Sequence, residues 1–93
     1  MGDRTLETAM AKTLSDEMLD EIERRSNRAT PGPWKSYVER RDHISGSDFI
    51  MTTAEDIYLT GATVEDQDFI AHARQDVPLL LSEVRRLRAC AKG

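Results

Sequence analysis

The chain has 93 residues, 39% hydrophobic and 5% aromatic, which fits one domain with a thin core and leaves no room for a second. Thirteen basic residues against 17 acidic give a net charge of −4, so attraction to nucleic-acid phosphates is disfavoured; the interspersed Arg residues also dilute the acidity too far for a DNA mimic. A single cysteine, Cys90, excludes an intrachain disulfide, and the longest apolar run, residues 77–81, is far too short for a membrane span. With no basic-plus-apolar signal at the N-terminus, the expected location is the cytoplasm.

Residues 1–13 carry only a weak helical pattern in Leu6, Ala9 and Met10 and read as a flexible arm, followed by one α+β domain over 14–93. The first firm element runs from about Asp16 to Ala29. Ser15 is a good N-cap, and Asp16, Glu17 and Asp20 place negative charge at the positive end of the helix dipole. Leu14, Met18, Leu19, Ile22 and Ala29 share one face, and Arg24, Arg25 and Arg28 crowd the C-terminal end. The stop is sharp. Pro31 pushes Thr30 out of helical geometry, Gly32 allows a tight turn, and Pro33 fixes the approach of Trp34.

Three short strand-like runs follow: Trp34–Arg40, Asp48–Thr53 and Ile57–Thr60. The turn signals between them (Arg41–Ser47 and Ala54–Asp56), with Gly61 closing the last, predict an antiparallel meander. Two C-terminal helices complete the pattern. Thr63 or Asp66 caps the first; Asp76 caps the second, with Pro78 in its first turn, where a missing N–H costs nothing. Val77, Leu80, Val84, Leu87 and Ala91 repeat at three-four spacing with Leu81 widening the stripe, long enough for an antiparallel seam or a dimer contact. The expected architecture is an N-terminal helix, a three-stranded antiparallel meander, and two C-terminal helices, with the helices packed on one sheet face.

Two segments have a recognisable look: Ala29-Thr30-Pro31-Gly32-Pro33-Trp34 after an acidic helix, and Asp68 to Leu80 followed by Glu83-Val84-Arg85-Arg86-Leu87. Over Ser15 to Arg88, with the middle strands unconstrained, the chain resembles the ead-like group of small proteins from temperate phages and prophages. That resemblance implies a source in a mobile genetic element. It brings no biochemical assignment, since the group has no general one.

Candidate chemistry is sparse. Asp68 and His72 lie one helical turn apart, and with Asp66 and Asp76 they could be imagined as a hard-metal site, but the spacing fits no metal motif and caps explain two of them. Arg41-Asp42-His43 sits in a polar turn with no Ser or Cys nucleophile beside either histidine. No glycine-rich phosphate loop is present. The expectation is therefore a non-enzymatic protein that needs no cofactor or metal.

Trp34 is read first as the core tryptophan of a small domain and second as a stacking or anchoring residue. Three functions compete. The leading one is an accessory protein that contacts or inhibits a host protein, using exposed strands or the face of Leu79, Leu80, Val84 and Leu87. The alternative is an oligomeric sponge for an immune-signalling nucleotide, with Trp34, Tyr37 or Tyr58 stacking on the base and Lys35, Arg74, Arg85 and Arg86 holding phosphates. A nucleic-acid-binding regulator comes last, because the apolar stripe of the final helix must face inward. The thin core favours a homo-oligomer.

Overall fold

The structure, a computed structural model, describes residues 13–92; the arm expected over 1–13 lies, apart from Thr13, outside the described residues. Helix α1 spans Asp16–Arg28 and is built as its capping residues dictate: the Ser15 hydroxyl accepts from the Met18 N–H at 3.0 Å, with Asp16 and Glu17 in the first turn. Strand β1 (Lys35–Tyr37) pairs antiparallel with β2 (Phe49–Met51), Ser36 standing opposite Ile50. Between them lies a single helical turn, α2 (Glu39–Asp42), and the chain ends in helix α3 (Val64–Lys92). The protein is thus mixed helix and sheet, and none of the described helices is long and apolar enough to cross a membrane.

Four expectations need correction. The first strand does not continue to Arg40. The Val38 N–H donates to Asp42 Oδ2 at 2.8 Å and the Glu39 N–H to Asp48 Oδ1 at 2.9 Å, and these carboxylates fold the chain into α2, which ends on His43 in the left-handed region at φ 57°. The expected third strand, Ile57–Thr60, is reduced to one bridge, in which Ile50 and Ile57 exchange both backbone hydrogen bonds at 2.8 and 2.9 Å. Just past β2 the chain turns, with Thr52 Oγ1 donating to the Glu55 carbonyl and accepting from the Ala54 N–H, which brings Ile57 back against Ile50.

The third correction is the C-terminal pair, which forms a single helix of 29 residues with Pro78 inside it. Asp76 is accordingly an exposed mid-helix residue and no cap, whereas Thr63 and Asp66 form a reciprocal capping box at 3.0 and 3.1 Å. The helix survives its proline because α1 lies antiparallel along it. Ser26 bonds Arg74 before Pro78, while Glu23 and Asp20 bond Arg85 and Asp16 bonds Arg88 after it. Tertiary contacts on both sides outweigh the local breaking tendency.

The core is small. Leu19 of α1, Val38 and Ile50 of the sheet region, and Ala71 and Leu81 of α3 are its buried apolar side chains among the described residues. Along β1 and β2, Ser36 and Ile50 turn inward to α3, while Lys35, Tyr37, Phe49 and Met51 alternate to the opposite face. The helices do not share one sheet face: α3 packs on both strands, and α1 packs on α3.

Candidate functional site

One side of α3 acts as a polar clamp. Gln67, Ala71 and Gln75, one turn apart, line up on a single face. The Gln67 amide is buried and donates to Ser36 Oγ (2.8 Å), the Tyr37 carbonyl (3.1 Å) and the Phe49 carbonyl (3.2 Å), fixing both strands. Gln75 Oε1 accepts from the Trp34 N–H at 2.7 Å, and its Nε2 donates to the Trp34 and Ala71 carbonyls. The approach is close: a Cβ on Gly32 would lie 3.2 Å from Gln75 Oε1, which explains glycine at the turn after α1. Trp34 is half-buried, its Nε1 donating to the Thr30 carbonyl at 3.1 Å.

Beside this clamp, at the free edge of β1, lies a cleft of about 570 Å³ whose walls include Trp34, Lys35, Arg41, Met51, Asp68 and His72. Arg41 is its centre. The guanidinium forks onto both Asp68 oxygens at 2.9 and 3.1 Å, reaches Asp42 at 3.2 Å through Nε, and donates to the Ser36 carbonyl at 3.4 Å. Asp68 keeps Arg41 protonated, with Asp42 assisting. Asp68 is in turn held below the usual carboxylate range by Arg41 and then by Ser36, and Asp42 is lowered first by the Val38 N–H and then by Arg41. Carboxylates stabilised in this way are weak bases near neutral pH. The group ties α2, β1 and α3 together and covers the strand edge.

The expected ligand residues fall into separate groups. Trp34 and Arg74 line one shallow pocket of about 320 Å³ with Ile22 and Val77, and Arg74 Nη1 donates to Ser26 Oγ at 3.0 Å while its Nε is buried without a partner among the described residues. Lys35 and Tyr37 sit on the outward sheet face, with Lys35 Nζ 5.0 Å from the Tyr37 ring centre. Arg85 bonds Asp20 at 3.0 Å and Glu23 at 2.8 Å, and Arg86 bonds Glu83 at 2.7 Å. Arg85 lies about 16 Å along α3 from Arg74. Arg74 and Arg85 thus bridge α1 and α3, whereas Arg86 pairs within α3.

The expected interface residues divide. Leu79, Leu80 and Leu87 are exposed, whereas Val84 is half-buried. Phe69 joins the exposed set, and Phe49 joins Tyr37 and Tyr58 in a row of rings with centres 5.3 and 5.8 Å apart. Neither glutamine was signalled by spacing or composition, and Arg41 was visible only as part of a polar turn.

Among the described residues, no group of three or more His, Cys, Asp or Glu side chains is placed to hold a metal ion. Comparison with known proteins adds no relative, because no family model, curated protein or solved structure matches the chain.

Proposed function

We propose that this chain is a non-enzymatic binding protein, an accessory factor of a phage or prophage that acts by contacting a host protein. The observation that carries the reading is the outward face of the sheet. Tyr37, Phe49 and Tyr58 stand in a row there, Tyr58 62% exposed, with Met51 (41% exposed) and Lys35 beside them. Rigid aromatic side chains offer large contact area at small entropic cost, and such residues dominate binding energy at protein interfaces. Because Arg41 covers the Ser36 carbonyl, contact through this face rather than strand addition at the β1 edge fits the geometry. The phage or prophage source rests on the sequence resemblance.

The nucleotide-sequestering alternative draws on Lys35 and Tyr37, since Arg85 and Arg86 are already engaged with acidic side chains. The test is affinity capture from bacterial lysate using the wild type, a Met51→Lys/Tyr58→Ser double variant and Leu80→Glu. The expected result is a stoichiometric protein partner that Leu80→Glu retains and the sheet-face variant loses. Capture of nothing at stoichiometric level, or retention by the sheet-face variant, defeats the proposal. A nucleotide released from the purified protein by heat would establish the alternative.

A further inference from the structure

The pocket between the C-terminal turn of α1 and the middle of α3 differs in charge from other hollows of the described surface. The cleft at the β1 edge sets Asp42 and Asp68 against Arg41, and the hollow beside Arg85 and Arg88 contains Asp16 and Asp20. The α1–α3 pocket, of about 320 Å³, is lined by two arginines, Arg25 and Arg74, and by no Asp or Glu. Neither arginine forms an ion pair among the described residues, whereas Arg41, Arg85, Arg86 and Arg88 all do.

The rest of the pocket suits an apolar body. Its walls are the half-buried Trp34, Ile22, Ala73 and Val77, and its volume is at the lower end of the roughly 300–1,000 Å³ usual for small-molecule sites. Arg74 is held in place without a guest. Its Nη1 donates to Ser26 Oγ, and its Cγ would lie 3.5 Å from a Cβ on Gly32, so the stem runs beneath the turn after α1. Of its other nitrogens, Nε is enclosed and unpartnered among the described residues, while Nη2 is unpartnered and open. A guanidinium fixed in this way, with donors to spare, takes an anion at small ordering cost.

The neighbourhood also sets the charge of the guest. Arg25 lies in the last turn of α1, where the unpaired carbonyls carry partial negative charge and disfavour a dianion. We propose that the pocket binds a small monocarboxylate with an apolar body, its carboxylate on Arg74 and Arg25 and its body against Trp34, Ile22 and Val77. This assignment is independent of the host-partner reading, which uses the outward sheet face.

The probe is 3-phenylpropionate, titrated into the full chain at pH 7. Trp34 is the only tryptophan, so its emission reports the pocket directly. A saturable change is expected. It should be absent with 3-phenylpropanamide, which has the body without the charge, and with inorganic phosphate, which has charge without the body. Arg74→Gln is expected to weaken binding about tenfold, the value of a charge-assisted hydrogen bond. Arg25→Gln, at an exposed position, should also weaken binding and keeps the test decisive should Arg74→Gln fail to fold. Arg24→Gln, on the same helix but outside the pocket, should bind as the wild type does. No saturation at millimolar 3-phenylpropionate, equal saturation by the amide or by phosphate, or wild-type affinity in the folded arginine-pocket variants each overturns the proposal.

Discussion

Replacing Gln67 with methionine tests whether the amide clamp holds the sheet to α3. Methionine has nearly the same length and volume, so the substitution removes hydrogen bonds without opening a cavity. The wild-type amide has two N–H groups shared among three acceptors, Ser36 Oγ and the Tyr37 and Phe49 carbonyls, at 2.8 to 3.2 Å. The two carbonyls sit opposite one another in the β1–β2 ladder and keep a ladder partner, so the loss falls chiefly on the Ser36 hydroxyl and on each carbonyl's second lone pair. At about 1 kcal/mol per bond, with two N–H groups shared among three acceptors and the Ser36 hydroxyl still bonded to Asp68, the expected destabilisation is about 2–3 kcal/mol. For a domain of this size that lowers Tm by roughly 10–20 °C. The assay is thermal unfolding followed by circular dichroism, with Trp34 fluorescence as a local reporter. Gln67→Met should leave native Trp34 emission unchanged, whereas Gln75→Met, which frees the Trp34 N–H and carbonyl, should shift it. A Gln67→Met protein that melts within about 2 °C of the wild type would refute the reasoning, because so small a loss is below the value of one net hydrogen bond.

Pro78→Ala should raise stability by about 2 kcal/mol in urea unfolding, the helix-interior penalty of proline being about 3 kcal/mol less its entropic benefit in the unfolded chain; a destabilised variant would mean that α1 needs the proline's shape. Gly61 adopts φ 82° with open space around it, so Gly61→Ala should cost about 1 kcal/mol through backbone strain alone, read by the same denaturant titration. Asp42 and Asp68 have folded pKa values lowered below 3.8, so their contribution is present above the unfolded value and lost as pH falls through the acidic range. Tm of the wild type should therefore drop below about pH 4. An Arg41→Gln variant should melt lower than the wild type at pH 7, with the difference narrowing toward pH 3; a constant difference across that range would count against Arg41 acting through these carboxylates.

What could be read from the sequence was what acts within a few residues. Ser15 capping α1, the stop at Pro31 and the Thr63–Asp66 box are local, and each is found where the residue types point. The misreadings have distant causes. Asp48 ends β1 early by bonding Glu39 from nine residues away. Pro78 breaks helices by local rules, yet α1 spans it with Ser26, Glu23 and Asp20 reaching Arg74 and Arg85. Of the basic pair, Arg85 finds Asp20 and Glu23 on α1, partners that sequence spacing does not reveal, whereas Arg86 takes Glu83 one turn away in the same helix. Gln67 and Gln75 have no distinguishing neighbours in sequence, and only the fold shows what they hold.

Although α3 is geometrically continuous, its interior proline makes it two cooperative units. Pro78 offers no N–H to the Arg74 carbonyl, so opening of one segment need not propagate into the other through the hydrogen-bond ladder. The segment before Pro78 is fastened by the buried Gln67 and Ala71, and its amides past the first turn are expected to be the best protected of the helix. Beyond Ser82 the fastening is by half-exposed ion pairs to α1, which salt weakens. Amide protection should therefore fall off beyond the buried Leu81, and rising ionic strength should deepen that fall. The C-terminal turns, which carry Leu87 and the basic residues, behave as a foldon that opens while the sheet and its clamp stay closed.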